Sequence, residues 1–106
     1  MTKFLVIYRA PRAARQAMMA ESTPEQAKAG MDAWMGWATR TGSALVDLGA
    51  PLGAGTALGG AGAADDFGGY SVVQAKDLDA AKALFVDHPH HRMPGGSIVL
   101  FECVKM

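Results

Sequence analysis

"KFLVIYR", residues 3–9, is the stretch on which the reading of the fold turns. It is a short run of aliphatic, aromatic and β-branched residues between charged ends, which predicts a β-strand. Alternate side chains of a strand face opposite sides, so Phe4, Val6 and Tyr8 point one way and Leu5 and Ile7 the other. Both sets are apolar. A sheet with helices on one face and water on the other would alternate apolar with polar residues instead. "GSIVLFECV" (96–104) repeats the feature, with Ile98 and Leu100 opposing Val99 and Phe101. Burying one such side chain is worth about 1.5–3 kcal/mol, so a whole face of them is not left in water. The two strands therefore predict a sheet covered on both sides. In a chain of 106 residues the second cover is expected from another copy, as a homodimer or a larger even assembly.

Working outward, "SALVDL" (43–48) and "YSVVQA" (70–75) read as two further strands. Thr23-Pro24-Glu25-Gln26 combines an N-cap hydroxyl, a proline at the first helical position and a capping-box glutamine, and Gly42 supplies the stop. Between them Ala27, Met31, Trp34, Met35 and Ala38 recur at helical spacing and predict the buried stripe. Residues 10–22 hold good helix formers after Pro11 and predict a short helix or a mobile excursion. Asp77 caps a helix whose inner stripe is Leu78, Ala81, Leu84 and Phe85; Pro89 biases His88 out of helical geometry, so the end is expected near Asp87. Residues 49–69 are rich in glycine and alanine and suit a long exposed loop or weak hairpin. The order is βαββαβ: an α+β, ferredoxin-like domain with an antiparallel sheet, spanning 1–106 as one unit.

Ten basic residues balance ten acidic ones, which leaves no electrostatic footprint for nucleic acid or an anionic membrane. The apolar run Phe4–Tyr8 is too short for a membrane span. Cys103 is the lone cysteine, has no partner for an internal disulfide and is expected to be a buried, inert thiol, so a cytoplasmic location is expected.

"FGGYSVVQAKDLDAAKALFVDHPHHRMPGGSIVLFECV" (67–104) resembles the C-terminal half of YCII-related (DGPF-domain) proteins of the dimeric α/β-barrel superfamily, with a "GGY" strand, a helix ending in an "HP" or "PH" element and a final "G-S-I" strand. "KFLVIYR" and "TPEQ…MDAWMGWATRTGSAL" are similar to the N-terminal half. The DGPF tetrapeptide is absent, and "AADDF" (63–67) stands where it is expected. The resemblance implies a two-protomer α/β barrel with a pocket between sheet and helices. Related folds host isomerases, cofactor-free monooxygenases, dehydrochlorinase-like lyases and non-catalytic proteins, so it does not choose an activity.

All three histidines fall in "DHPHH" (87–91). His88 begins where the stripe Ala81, Leu84, Phe85 leaves off, and its ring is expected to look into the space between helix and sheet. An imidazole titrating near 6.5 suits general acid–base work, with Asp47 or Glu102 as candidate orienting carboxylates. The competing reading is a helix end whose histidines bind the terminal carbonyls. His90 and His91 are expected to face solvent. His-x-His-His around a proline lacks the spacing of a metal site, and neither Gly53-Ala-Gly55 nor Gly60-Ala-Gly62 continues into a phosphate-binding fingerprint, so no metal and no bound cofactor are expected. Arg9 and Tyr8, on opposite faces at the end of the first strand, are candidate anchors for a carboxylate or phenolate substrate. Trp34 is expected in the core, and Trp37 at a pocket mouth or dimer seam. Two functions follow: a cofactor-free enzyme using His88 on a small planar or carboxylated metabolite, or a non-catalytic ligand-binding or protein-interaction module on the same frame.

Overall fold

The computed structural model describes residues 1–106. Strand β1 (Thr2–Arg9) is followed by helices α1 (Arg12–Glu21) and α2 (Pro24–Thr41), strands β2 (Leu45–Pro51) and β3 (Phe67–Ala75), helix α3 (Leu78–Ala83), a 3₁₀ turn (Pro89–Arg92) and strand β4 (Ser97–Glu102). The four strands form one sheet in the order β2-β3-β1-β4, with every neighbouring pair antiparallel. This is the expected α+β, ferredoxin-like arrangement.

The sheet has two unlike faces. Phe4, Val6, Tyr8 and Val73 are buried in a core completed by Trp37, Ala75, Ala81 and Phe85, so α2 and the α3 region cover this side. On the other side the register sets Leu5 opposite Val72 and Phe101, and Ile7 opposite Tyr70 and Val99. No helix supplies core residues there: Ile7 is buried among its neighbours, the Arg15 side chain of α1 lies against Gly68, and Phe101 is half exposed. The two-sided apolar pattern of the sequence is thus present in the folded sheet, with one side packed inside the chain.

Helix α2 starts as its sequence dictates. Thr23 Oγ1 accepts the Gln26 N–H at 3.1 Å and Gln26 Oε1 accepts the Thr23 N–H at 2.9 Å, while Gly42 ends the helix at φ 61. The buried stripe differs from the expectation. Met31 and Met35 are exposed, Trp34 is half-buried and Trp37 is the buried residue of the helix. The docked face is centred on Trp34, Trp37 and Thr41, rotated by about 60° from the stripe read off the sequence. The cause is tertiary: Trp37 Nε1–H donates to the Leu84 carbonyl at 2.8 Å and so fixes which face turns inward.

The second helix is also shorter than expected. Asp77 caps it through the Ala80 N–H at 2.8 Å, but α3 ends at Ala83 and the chain turns through 84–87. Of the expected inner stripe, Ala81 and Phe85 are buried whereas Leu78 is half exposed. The residues after Pro11 do form a helix, α1, with no buried residue. Strand β2 runs on to Pro51 through a bulge at Gly49 (φ 78), whose missing Cβ would lie 1.8 Å from the Tyr70 carbonyl oxygen. Cys103 is exposed, not buried, because β4 ends at Glu102 before its side chain is covered. No helix is long and apolar enough to cross a membrane.

Candidate functional site

Pro89 at the first position of the 3₁₀ turn holds His88 extended (φ −65, ψ 138), and that places the ring inward, against the helix-covered face of the sheet. Only 2 % of His88 is exposed. Its ring stacks on Tyr8 (centroids 4.9 Å, 21° between planes) and is met edge-on by Trp34 (4.3 Å, 89°) and Trp37 (4.5 Å, 70°). Phe85 closes the cage at 5.7 Å.

The hydrogen bonds of the ring decide what it can do. Nδ1 accepts the backbone N–H of His90 at 3.0 Å, so the neutral ring carries its proton on Nε2. Nε2 is buried and has no hydrogen-bond partner. Burial pushes the His88 pKa down to about 3, with the charges of His90 and His91 acting in the same direction and Asp87 against it. The one free nitrogen is therefore a donor, the lone pair is already used, and the ring stays neutral at physiological pH. No carboxylate touches it: Asp87 pairs instead with Arg40 at 3.4 Å, and Asp47 accepts the Gly49 N–H at 2.8 Å. In this arrangement His88 is a core aromatic and the N-cap of the turn.

His90 corrects the expectation of a solvent-facing ring. It is 8 % exposed, and its Nε2–H donates to the Arg9 carbonyl at 2.7 Å. His91 is exposed, as expected, yet its Nε2–H reaches the Phe85 carbonyl at 2.6 Å. The three rings thus serve three separate backbone partners and do not converge. No group of three or more histidine, cysteine, aspartate or glutamate side chains is arranged to hold a metal ion. The adjoining glycines make room for this turn. A Cβ on Gly96 would lie 2.9 Å from the Met93 carbonyl oxygen and 3.2 Å from His90 Nε2, and Gly95 has φ 69. The pair "GG" after "HHRMP" was the available signal that this segment folds back closely on the strand ends.

The other expected site residues separate clearly. Tyr8 is buried; its hydroxyl donates to Ser71 Oγ at 3.0 Å, and Ser71 donates on to the Leu48 carbonyl at 2.6 Å. Burial pushes the Tyr8 phenol up to about 12, against the lowering effect of the Ser71 hydrogen bond. Trp37 is 1 % exposed with its N–H used, so it lies in the core and not at a pocket mouth. Arg9 reaches an open cavity. That cavity, about 440 Å³, is lined by Arg9, Ala10, Pro11, Asp65, Asp66, Gly95 and Ser97 at the end of β1. Arg9 Nε–H donates to Asp66 Oδ2 at 2.8 Å, and the Arg9 side chain remains 44 % exposed. Asp66, within "AADDF", and Ser97, within the "G-S-I" strand, had no role assigned from sequence, and the antiparallel pairing of β1 with β3 and β4 brings them to Arg9. A second cavity of about 350 Å³, lined by Lys82, Phe85, Val86, His91, Ile98 and Leu100, is mostly apolar. His88 lines neither. No family model matches the chain, and no curated protein matches it.

Proposed function

We propose that this chain is a non-catalytic, small-ligand-binding module of the YCII-like kind, assembled as a sheet-to-sheet homodimer, with a carboxylated ligand held by Arg9. The observation that carries the reading is the position of Arg9. Of the four side chains expected at a site it is the one that meets solvent in a polar cavity, which its cross-strand partner Ser97 also lines. Its present partner, Asp66, occupies the position of a ligand carboxylate. An ion pair this exposed contributes about 0–1 kcal/mol, so a ligand that brings its own carboxylate and further contacts displaces Asp66 at little cost. His90, by binding the Arg9 carbonyl, holds the strand end that presents the guanidinium.

General-base catalysis by His88 fits the geometry less well. A base needs a free lone pair, a proton to take within about 3 Å and a pKa near the working pH; the ring has Nδ1 occupied, Nε2 buried without a partner and a pKa of about 3. The dimer in this reading closes the half-covered face of Leu5, Tyr70, Val72, Val99 and Phe101, at whose centre Ile7 is already buried, into a barrel, and a reducing cytoplasm keeps the exposed Cys103 thiol free. The test is a thermal-shift panel of small mono- and dicarboxylates against the chain and its Arg9→Gln variant. Stabilisation by one or more of them that is lost in Arg9→Gln supports the reading. Stabilisation that survives Arg9→Gln, or none across the panel, refutes it.

A further inference from the structure

We propose that the Arg9 cavity takes a zwitterion, an α-amino acid whose carboxylate lies on Arg9 and whose ammonium is held by Asp66 and Asp65. The proposal rests on the carboxylate reading above and adds the second charge of the ligand.

The balance of charge in the cavity leads to it. Its charged lining residues are Arg9, Asp65 and Asp66, one cation against two anions. Arg9 pairs with Asp66, and Asp65 takes part in none of the four ion pairs of the chain. Arg12 and Arg15 of α1 do not line the cavity. Arg15 is spent on main-chain oxygens, the carbonyl of Asp65 and, at 3.5 Å, that of Phe67. The lining therefore carries one surplus negative charge before any ligand enters.

A plain carboxylate fits this lining poorly. In taking Arg9 it frees Asp66, and its own negative charge then stands beside two unpaired aspartates around one guanidinium. With the Arg9 and Asp66 side chains 44 % and 30 % exposed, water and salt screen that repulsion only in part. An ammonium on the same ligand reverses the balance. The ligand becomes neutral overall, and its cation gives Asp66 a partner in place of Arg9 and gives Asp65 one as well.

Spacing places the ammonium next to the carboxylate. Arg9 Nε lies 2.8 Å from Asp66 Oδ2, so a carboxylate seated on the guanidinium is about one ion-pair length from the aspartate it displaces. An ammonium on the adjoining carbon crosses so short a gap without folding the ligand. The charged residues are also fixed in advance. The Ala10 N–H donates to the Asp66 carbonyl at 2.9 Å, Arg15 holds the Asp65 carbonyl, and the Arg9 guanidinium lies 5.8 Å from the Phe67 ring centroid. Little ordering is left for the ligand to bring about. The rest of the lining, Ala10, Pro11, Gly95 and Ser97, offers little apolar surface, so charge decides recognition.

The test uses three probes of one skeleton: L-alanine, propionate, which lacks the amine, and ethylamine, which lacks the carboxylate. Titrations at pH 7 and constant ionic strength, followed at the amides of residues 65–66 and 95–97 and at the Arg9 Nε–H, give a dissociation constant for each. L-alanine should bind the unaltered chain about fivefold or more tighter than propionate, with ethylamine weakest. In Asp65→Asn/Asp66→Asn the preference should vanish, because propionate tightens and L-alanine loses the partners of its ammonium. Far-UV circular dichroism checks the fold of that variant, and the comparison on the unaltered chain stands without it. Propionate binding as tightly as L-alanine, or a preference that survives the double substitution, overturns the zwitterion and leaves a carboxylate site at Arg9. Ethylamine matching L-alanine, L-alanine binding that survives Arg9→Gln, or no saturable shift with either acid overturns both readings.

Discussion

Acidification tests the structural reading of His88. Inside the aromatic cage the ring is neutral, with its pKa pushed from 6.5 down to about 3 by burial, whereas in the unfolded chain it takes a proton near 6.5. Between those values the unfolded state binds more protons than the folded one. The contribution is therefore fully present above pH 6.5 and is lost as pH falls, at up to about 1.4 kcal/mol per pH unit. From pH 7.5 to pH 5 the loss integrates to about 2 kcal/mol, a sizeable part of the 5–15 kcal/mol that holds a small domain folded. The window stops at pH 5 because carboxylates begin to titrate below it. Urea unfolding at fixed protein and salt concentration, followed by the fluorescence of Trp34 and Trp37, measures the slope. His88→Phe keeps an aromatic ring in the cage and removes the titration. It should be less stable by a constant offset from the lost N-cap, and should lack this 2 kcal/mol fall. Parallel pH curves for the two proteins would refute the buried, neutral ring.

Three further outcomes follow from the same contacts. Thr23→Ala removes the N-cap of α2 and should cost about 1 kcal/mol in urea unfolding, with no change in carboxylate binding at Arg9. Gly49→Ala sets a Cβ against the Tyr70 carbonyl at a positive φ and should cost at least about 2 kcal/mol, read as a lowered Tm. The Tyr8 phenol is raised to about 12, so its neutral form contributes stability that is present below pH 10 and lost as pH rises from 10 towards 12. Absorbance at 295 nm should show a component that appears only as the fold is lost at high pH and is missing in Tyr8→Phe. Ionisation of Tyr8 near pH 10 in a protein with native circular dichroism would contradict its burial.

What the sequence made legible was local or periodic. The capping box at Thr23 and Gln26, the stop at Gly42 and the cap at Asp77 are set by residues within one helical turn of each other, and all three formed as read. The two-sided strands were legible because strand alternation has a fixed period, and the pairing of Leu5 with Val72 and Phe101 follows it. The face of α2 was not legible. Ala27, Met31, Trp34, Met35 and Ala38 form a valid stripe, and only the bond from Trp37 to Leu84, 47 residues away, selects the neighbouring one. His90 was misread for a similar reason: its burial depends on a 3₁₀ turn folding over the end of β1, which no helical or strand period encodes. The cavity at Arg9 is assembled from three strand ends, so Arg9 was visible as a candidate anchor, while Asp66 in "AADDF" and Ser97 in "G-S-I" gained a place beside it only through the sheet register.

A nuclear magnetic resonance titration with a small carboxylate, such as benzoate, observes the Arg9 cavity and the His88 cage in one sample. The Arg9 Nε–H and the amides of residues 65–66 and 95–97 should shift saturably, while the His88 ring nitrogens and the Trp34 and Trp37 indole N–H signals stay in place. Saturable shifts at the His88 ring and the two indoles, with Arg9 silent, would contradict the account and put the ligand between helix and sheet.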